Sequence, residues 1–258
     1  NVLKAFLKPL LFIIICIPCS LYVLGPIGNV VGNLLSNVFM VMYNAVPWLT
    51  VGILSAAMPF IVMTGMHYAL IPLCMNNLAT LGFDVIVLVT MFCSNIAQGG
   101  ATFGVALKTK DEETRSEGIA CGISAVVAGV TEPAMYGINM RYMKPMIGAV
   151  AGAGIAGLFC GLTGVRGYTM GGSPSFLSLI TFIGGEGNPM HGVIFGAIGG
   201  VMSLLIAAAV SFILYKDPEK AASGSSSAPA EPALADDVIT SPLAGEARAL
   251  TSIEDTVF

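Results

Sequence analysis

The apolar stretch GVIFGAIGGVMSLLIAAAVSFILY occupies residues 192–215 and contains no charged side chain. An α-helix needs about 20 mainly apolar residues to cross the hydrocarbon core of a bilayer. Residues 7–24 and residues 34–54 meet the same requirement. These three stretches predict transmembrane helices.

The composition of the chain indicates a membrane protein. Of the 258 residues, 55% are hydrophobic and 10% are charged, and the mean hydropathy is +0.85, whereas about a quarter of the residues of a soluble domain are charged. Up to residue 215, nearly half of the charged side chains lie in one run, residues 108–117. The formal net charge of -4 owes much to the C-terminal acids. No basic patch interleaved with aromatic residues predicts nucleic-acid binding.

Other apolar segments are interrupted by Pro, Gly and Asn, and several are too short or too broken for plain spanning helices. Broken helices at membrane depth survive only where protein or a water-filled cavity satisfies their backbone groups, and in transporters they often mark the substrate site. We therefore predict an all-α polytopic membrane protein with spanning helices and re-entrant hairpins. The interrupted segments are residues 59–73, 85–107, 118–136, 145–162 and 176–183.

Basic residues predict the orientation of the chain. The polar loop KTKDEETRSEG contains Lys108, Lys110 and Arg115, and the last spanning stretch is followed by Lys216 and Lys220. Basic residues are enriched in cytoplasmic loops. We therefore expect a multi-pass protein whose C-terminal tail is cytoplasmic.

Composition divides the chain into three parts. Residues 1–216 form the predicted membrane domain, and residues 217–236 are small, proline-containing and acidic, which predicts a disordered linker. Residues 237–258 resume a short-strand pattern, which predicts the beginning of a β-rich soluble domain. Because the chain starts at Asn1 rather than Met and stops within this pattern, we expect it to be a piece of a longer protein.

Glu132 is the most unusual residue of the apolar region, in the stretch AVVAGVTEPAMYGINM. A charge at bilayer depth costs about 2.5 to 3.5 kcal/mol, so such a residue normally faces a polar cavity and has a partner or a ligand. Pro133 disfavours a continuous helix and leaves backbone groups free. We interpret Glu132 as a substrate-binding or proton-handling carboxylate, the alternative being a structural ion pair with Arg141 or Lys144.

Other polar residues are ambiguous on their own. His67 lies in the apolar segment MTGMHYALIP, where a lone histidine is more often a core residue than a ligand. Amide side chains suit either helix capping or recognition of hydroxyl groups, and His191 lies in a glycine-rich loop with Glu186 and Asn188 as candidate gate residues. No metal-ligand spacing or nucleophile–base arrangement is visible, so we predict no metal site and no cofactor. The ambiguous amides are Asn76, Asn77, Asn95 and Gln98.

Taken together, the motifs resemble a known family. GVTEPAMYGINMRYMKP resembles the Gly-Ile-Thr-Glu-Pro signature of enzyme IIC, with Val130 in place of the Ile. Enzyme IIC is the membrane subunit of the bacterial phosphoenolpyruvate-dependent sugar phosphotransferase system, here its glucose superfamily. TGMHYALIPLCMNNLATLGFD and NIAQGGATFGVALKTK are similar to segments of the β-glucoside branch. The tail ITSPLAGEARALTSIEDTVF is similar to the first strands of the glucose-type enzyme IIA domain.

The resemblance implies a fold and a site. The family's membrane subunit has a dimerising half followed by a sugar-binding half, so we expect a homodimer in the bacterial plasma membrane, with this chain supplying the sugar-binding half. The signature Glu and a His before the first hairpin contact the sugar, which implies that Glu132, Thr131 and His67 bind sugar. Asn76 and Gln98 complete the candidate set, although the resemblance does not assign their roles.

The resemblance also implies group translocation. A β-glucoside or related sugar is taken up and its 6-hydroxyl is phosphorylated by a phosphocysteine on an enzyme IIB domain, with Glu132 as the candidate base. The partners are phosphorylated IIB and IIA domains and an upstream phosphocarrier protein. None of the six cysteines matches the IIB motif, so we expect part of a phosphotransferase rather than a complete enzyme. The alternatives are an ion-coupled secondary sugar transporter and an inactive or regulatory membrane fragment.

Overall fold

Helices dominate the computed structural model, which describes residues 25–217 and scattered residues between 8 and 22. This part of the chain contains no β-strand, only an isolated antiparallel bridge between Asp84 and Gly167. The all-α prediction is confirmed for these residues. The predicted linker beyond Asp217 and the predicted β-rich segment lie outside the described residues, as does much of the predicted span at residues 7–24.

Seven α-helices longer than one turn follow one another between residues 25 and 217, with short helical elements between them. Two 3₁₀-helices cover Met66–Leu70 and Phe176–Phe182, two π-helical turns cover Ser124–Ala128 and Pro133–Asn139, and a three-residue helix covers Met140–Tyr142. The seven are α1 (Gly25–Ala45), α2 (Pro47–Met63), α3 (Ile71–Leu81), α4 (Val87–Lys108), α5 (Glu112–Ile123), α6 (Lys144–Thr163) and α7 (His191–Leu214).

Helices α6 and α7 are long and apolar enough to cross a membrane, with 20 and 24 residues and mean hydropathies of 1.8 and 2.4. Helix α7 was predicted from residues 192–215, and its continuity is confirmed. Its exposed Ile194, Ile198 and Leu205 present apolar surface of the kind that lipid covers. Helix α6 corrects the expectation that residues 145–162 are broken. Pro145 lies in the first turn, where a backbone N–H has no intrahelical partner to lose.

The predicted single span at residues 34–54 is wrong, because two helices share it. Helix α1 ends at Ala45 and α2 begins at Pro47. Val46 between them leaves the helical conformation, with φ of -144° and ψ of 86°. Proline disfavours the α conformation in the residue before it, so the helix breaks here although the apolar run continues.

Helix α6 occupies the centre of the bundle, where it packs against α2, α4 and α7, and α4 also packs against α7. Glycines allow these backbones to approach closely. A Cβ atom added at Gly100 of α4 would lie 2.4 Å from the carbonyl oxygen of Leu204 in α7. One added at Gly152 of α6 would lie 2.6 Å from the carbonyl oxygen of Ser203. No real Cβ contact is so short, so the spacing of the three helices depends on these glycines.

Gly100→Ala should therefore destabilise the bundle by roughly 1–3 kcal/mol, the usual cost of overpacking. The measurement is thermal unfolding of the purified chain in one detergent. Gly154→Ala is the matched control, because its added Cβ would lie 3.1 Å from the Cβ of Ala56, a side chain rather than backbone. Equal melting temperatures for the two variants would contradict the close approach of α4 and α7.

The ends of α4 and α7 are joined by one carboxylate. Asp217 accepts hydrogen bonds from the Thr109 hydroxyl at 2.7 Å, the Lys110 backbone N–H at 3.0 Å and the Tyr215 hydroxyl at 3.0 Å. The Thr109 hydrogen bond is the main reason that the pKa of Asp217 lies below its usual value. Helices α4 and α7 thus end on the same side of the bundle, at the α4–α5 turn (residues 109–111).

Asp217→Asn should loosen the α4–α5 turn, because an amide has one acceptor oxygen where the carboxylate has two. We expect amide hydrogen exchange in a peptide spanning Lys110 to become several-fold faster. In the unsubstituted chain the lowered pKa keeps the Asp217 carboxylate ionised. Its stabilisation of the α4–α5 turn therefore persists at pH 5 and is lost only below about pH 4. Glu113→Gln, at an exposed acid of the neighbouring turn, serves as the control and should leave the exchange rate unchanged.

Candidate functional site

The chain unwinds between α5 and α6, next to Glu132. A π-helical turn ends at Ala128, and Gly129 then adopts a left-handed conformation with φ of 74°. Regular structure resumes at Glu132, where Pro133 occupies the first position of the second π-helical turn. π-Helical turns are rare and are frequently found at functional sites. The helix break predicted beside Pro133 is therefore present, over residues 129–131.

Asn95 of α4 holds this break in place. Its side-chain amide donates to the carbonyl oxygens of Gly129 at 3.2 Å and Pro174 at 3.0 Å. The Ser173 hydroxyl donates to the same Gly129 oxygen at 2.7 Å. Asn95 is 5% exposed and Gly129 is buried, so water has little access to the hydrogen bond between them. One buried amide thus joins α4, the helix break and the loop that contains Pro174.

A cleft of about 420 Å³, here called the central cleft, opens beside the break. Its volume lies within the range typical of small-molecule sites. Three of the predicted site residues, His67, Thr131 and Glu132, line it together although they come from separate segments. Its polar wall comprises His67, Tyr68, Asn95, Thr131, Glu132 and Ser173, and its apolar wall includes Val62, Ile71 and Met91.

The central cleft lies partway along the bundle rather than at its surface ends. Helix α4 has 22 residues, which at 1.5 Å per residue make it about 33 Å long, close to the thickness of a hydrocarbon core. Asn95 lies about 12 Å from the Val87 end and about 20 Å from the Lys108 end by the same rise. The polar wall therefore lies near the middle of α4 rather than at either end.

The Glu132 side chain makes no hydrogen bond or ion pair with any residue that the structure describes. Arg141 instead pairs with Glu117 at 3.4 Å, and Lys144 forms no salt bridge within residues 25–217. The alternative of a structural ion pair for Glu132 is thus not realised in this part of the chain. The carboxylate is exposed towards the central cleft and interacts electrostatically with His67.

His67 also has an unused polar atom. It lies on the 3₁₀-helix that follows the left-handed Gly65, and its ring packs 4.2 Å from the ring of Tyr68. Its Nδ1 atom is buried and has no hydrogen-bond partner among the described residues. An unsatisfied buried polar atom costs about 1–3 kcal/mol. His67 is consequently not a satisfied core histidine.

Two of the predicted site residues do not line the central cleft. Asn76 is exposed on α3, and Gln98 is 2% exposed and accepts a hydrogen bond from the Asn139 amide. Their predicted role in ligand binding stays a prediction. Sequence reasoning missed Tyr68 and Ser173 as cleft residues. No local signal marks them, because each becomes part of the wall only through the packing of distant segments.

Asn95→Leu keeps the size of the side chain but removes the amide that serves two carbonyl groups. We expect it to destabilise the chain by about 1–3 kcal/mol, because the Pro174 carbonyl loses its donor while the Gly129 carbonyl keeps the Ser173 hydroxyl. The measurement is thermal unfolding in detergent. Asn76→Leu is the control, because this exposed amide donates no hydrogen bond within the described residues, and it should change stability by less than about 0.5 kcal/mol. Similar losses in both variants would contradict the bridging role of Asn95.

In comparisons with known proteins, the chain matches components of the phosphotransferase system. The family model described as "Phosphotransferase system, EIIC" matches residues 1–154. The "PTS system beta-glucoside-specific EIIBCA component" of Bacillus subtilis (strain 168) is 35% identical over 233 residues, which cover 90% of this chain and 37% of that protein. No solved structure matches the chain.

Two further relatives are named for other sugars. The "PTS system arbutin-, cellobiose-, and salicin-specific EIIBC component" of Escherichia coli (strain K12) is 34% identical over 83% of this chain and 42% of its own length. The "PTS system trehalose-specific EIIBC component" of the same organism is 32% identical over 69% of this chain and 39% of its own length. The chain thus spans about two fifths of these relatives.

Proposed function

The chain belongs to the EIIC family of the phosphotransferase system, and from this we propose that it binds a β-glucoside in the central cleft for uptake by group translocation. In this process the sugar crosses the membrane and is phosphorylated on its 6-hydroxyl. The observation that carries the proposal is the meeting of His67, Thr131 and Glu132 in one cleft.

The chemistry of the central cleft supports a polyhydroxylated, uncharged ligand. The Glu132 carboxylate can accept hydrogen bonds from two sugar hydroxyl groups, because it has no partner within the described residues. The His67 side chain, which lines the same cleft, fixes the orientation of the sugar. The Tyr68 ring and Met91 offer apolar surface to the C–H faces of the sugar.

Phosphoryl transfer requires the bound sugar to meet a phosphocysteine of an enzyme IIB domain. The 6-hydroxyl oxygen forms a bond to phosphorus, the phosphorus–sulfur bond breaks, and the thiolate leaves. Such reactions depend mainly on alignment and electrostatics. The membrane chain contributes position, and Glu132 takes the hydroxyl proton. A IIA domain and a phosphocarrier protein resupply the phosphoryl group.

In the proposed arrangement the protein crosses the membrane several times, contains re-entrant segments at the helix breaks and works as a homodimer. Its C-terminal tail is cytoplasmic. In support, the hydrogen bonds of Asp217 bring the exit of α7 to the α4–α5 turn, so Lys110 and Lys216 lie on one side of the bundle. Basic residues gathered on one side are typical of the cytoplasmic face.

The proposed sugar class rests on the names of the relatives. Two of them are described as specific for β-glucosides or for arbutin, cellobiose and salicin, and these are the most similar in sequence of the three reported above. Trehalose is named for a more distant relative. A β-glucoside such as salicin is therefore the probe of choice.

Glu132→Gln preserves the shape of the side chain and removes its charge and basicity. We expect salicin binding to the purified chain in lipid nanodiscs to weaken about tenfold or more, because hydrogen bonds to charged groups contribute about 1.5–3 kcal/mol. Phosphorylation of bound salicin by an added phosphorylated IIB domain should fall further. Glu117→Gln is the control, since this carboxylate pairs with Arg141 outside the cleft, and it should leave both quantities unchanged.

The possible results separate the competing functions. Unchanged binding and phosphorylation in Glu132→Gln would overturn the proposed site. Normal binding with phosphorylation abolished would assign Glu132 as a base rather than a recognition group. Uptake of unmodified salicin driven by an ion gradient would favour a secondary transporter, and failure of the unsubstituted chain to bind any glycoside would favour a regulatory fragment.

A further inference from the structure

A second cleft of about 680 Å³, here called the outer cleft, lies at one end of the helix bundle. It is formed where α3 and α6 end and α7 begins, and by the loops that follow α6 and precede α7. Of the described residues, none that lines the central cleft also lines the outer cleft. The polar side chains of the outer cleft are Thr163, Arg166, Tyr168, Glu186, Asn188 and His191.

The outer cleft lies on the side of the bundle opposite the α4–α5 turn. Helix α7 begins at His191 in the outer cleft, and its other end reaches the turn through the Asp217 hydrogen bonds. With 24 residues, α7 spans about 36 Å. A membrane that surrounds the bundle therefore separates the outer cleft from the side on which phosphorylation is proposed.

The charges of the outer cleft are of both signs and are not paired with each other. The guanidinium carbon of Arg166 lies 4.2 Å from the centre of the Phe83 ring, and the side chain forms no salt bridge within the described residues. Glu186 is exposed and likewise forms none there. The cleft thus offers free donors and free acceptors together. An anionic ligand would use only the donors and a cationic ligand only the acceptors, whereas a hydroxyl group both donates and accepts hydrogen bonds.

Aromatic rings complete the lining of the outer cleft. The Phe83 and Tyr168 rings stand edge to face, with centroids 6.3 Å apart. Gly184 and Gly185 lie against Tyr168, where an added Cβ would be 2.4 Å from the ring and 2.5 Å from the hydroxyl oxygen. His191 is held by a 2.8 Å hydrogen bond to the Thr163 carbonyl group. Ordered rings beside unpaired polar groups suit the apolar faces and hydroxyl edges of a sugar.

One loop forms part of both clefts. Arg166 and Tyr168 line the outer cleft, and Ser173 and Pro174, a few residues later, line the central cleft. The loop is fixed at both ends of this stretch. The Tyr168 N–H donates to the Thr181 carbonyl at 2.8 Å, and the Asn95 amide donates to Pro174. The same loop therefore contributes residues to both clefts.

We propose that the outer cleft is a second glycoside-binding site, which receives the sugar on the side remote from the α4–α5 turn before it reaches the central cleft. Arg166 donates hydrogen bonds to the sugar, Glu186 accepts them, and Phe83 and Tyr168 contact its apolar face. The identity of the ligand rests on the proposed function of the central cleft.

The test uses a thiol as a reporter of occupancy. Leu81→Cys places a cysteine at an exposed position of the outer cleft without removing a polar group. The full chain in lipid nanodiscs is treated with a polar maleimide, with and without salicin, and labelling of the unsubstituted chain is subtracted. We expect salicin to slow labelling at least threefold. The protection should persist when Glu132→Gln is added and disappear when Arg166→Gln is added.

Glu113→Cys, at the first turn of α5, is the control and should show no protection by salicin. Salicin could fail to protect Leu81→Cys although Glu132→Gln still weakens salicin binding. That result would overturn the outer site and leave the proposed function intact. Protection that is lost with Glu132→Gln and kept with Arg166→Gln would also overturn it. So would protection by inorganic phosphate in place of salicin. Absence of both salicin binding and protection would overturn the two proposals together.

Discussion

The hydrogen bonds of Asn95 are the interaction on which the site depends. A helix break inside an apolar bundle exposes carbonyl groups that have no water to bind, and each must find a donor in the protein. Asn95 supplies that donor to Gly129 and to Pro174 at once. Because the break is satisfied from behind, its other side stays open, and Glu132 can stand in the central cleft without a protein partner.

The sequence predicted helices where apolar length alone decides the outcome. Residues 192–215 form one helix because nothing interrupts them. Residues 34–54 and 145–162 show the limit of that rule, since each contains a proline that lies in the first turn of a helix. Pro47 lies inside its apolar run and divides it between α1 and α2, whereas Pro145 is the first residue of its run and leaves it whole. The position of the proline within its apolar run therefore separates the two cases.

A residue of the site could be predicted from the sequence where its role depends on its immediate neighbours in the chain. Glu132 and the break beside it follow from a charge and a proline in an apolar run. His67 was placed only by the family resemblance, because its unpaired Nδ1 depends on the fold. The sequence could not show which of the amide side chains lines the central cleft. Asn77 donates to the buried Asp84, which in turn accepts the first amides of α4. Gln98 accepts from Asn139, and only Asn95 reaches the central cleft.

The π-helical turns on either side of the break have a consequence for motion. A π-helical turn is closed by i→i+5 hydrogen bonds and so holds about one more residue than an α-helical turn. Removing that residue advances the chain by one position, which corresponds to about 100° of rotation and 1.5 Å of rise. Ser124–Ala128 and Pro133–Asn139 are therefore the places where the segment carrying Glu132 can change its register. Helices α5 and α6 would keep theirs, so the carboxylate could be turned within a stationary bundle.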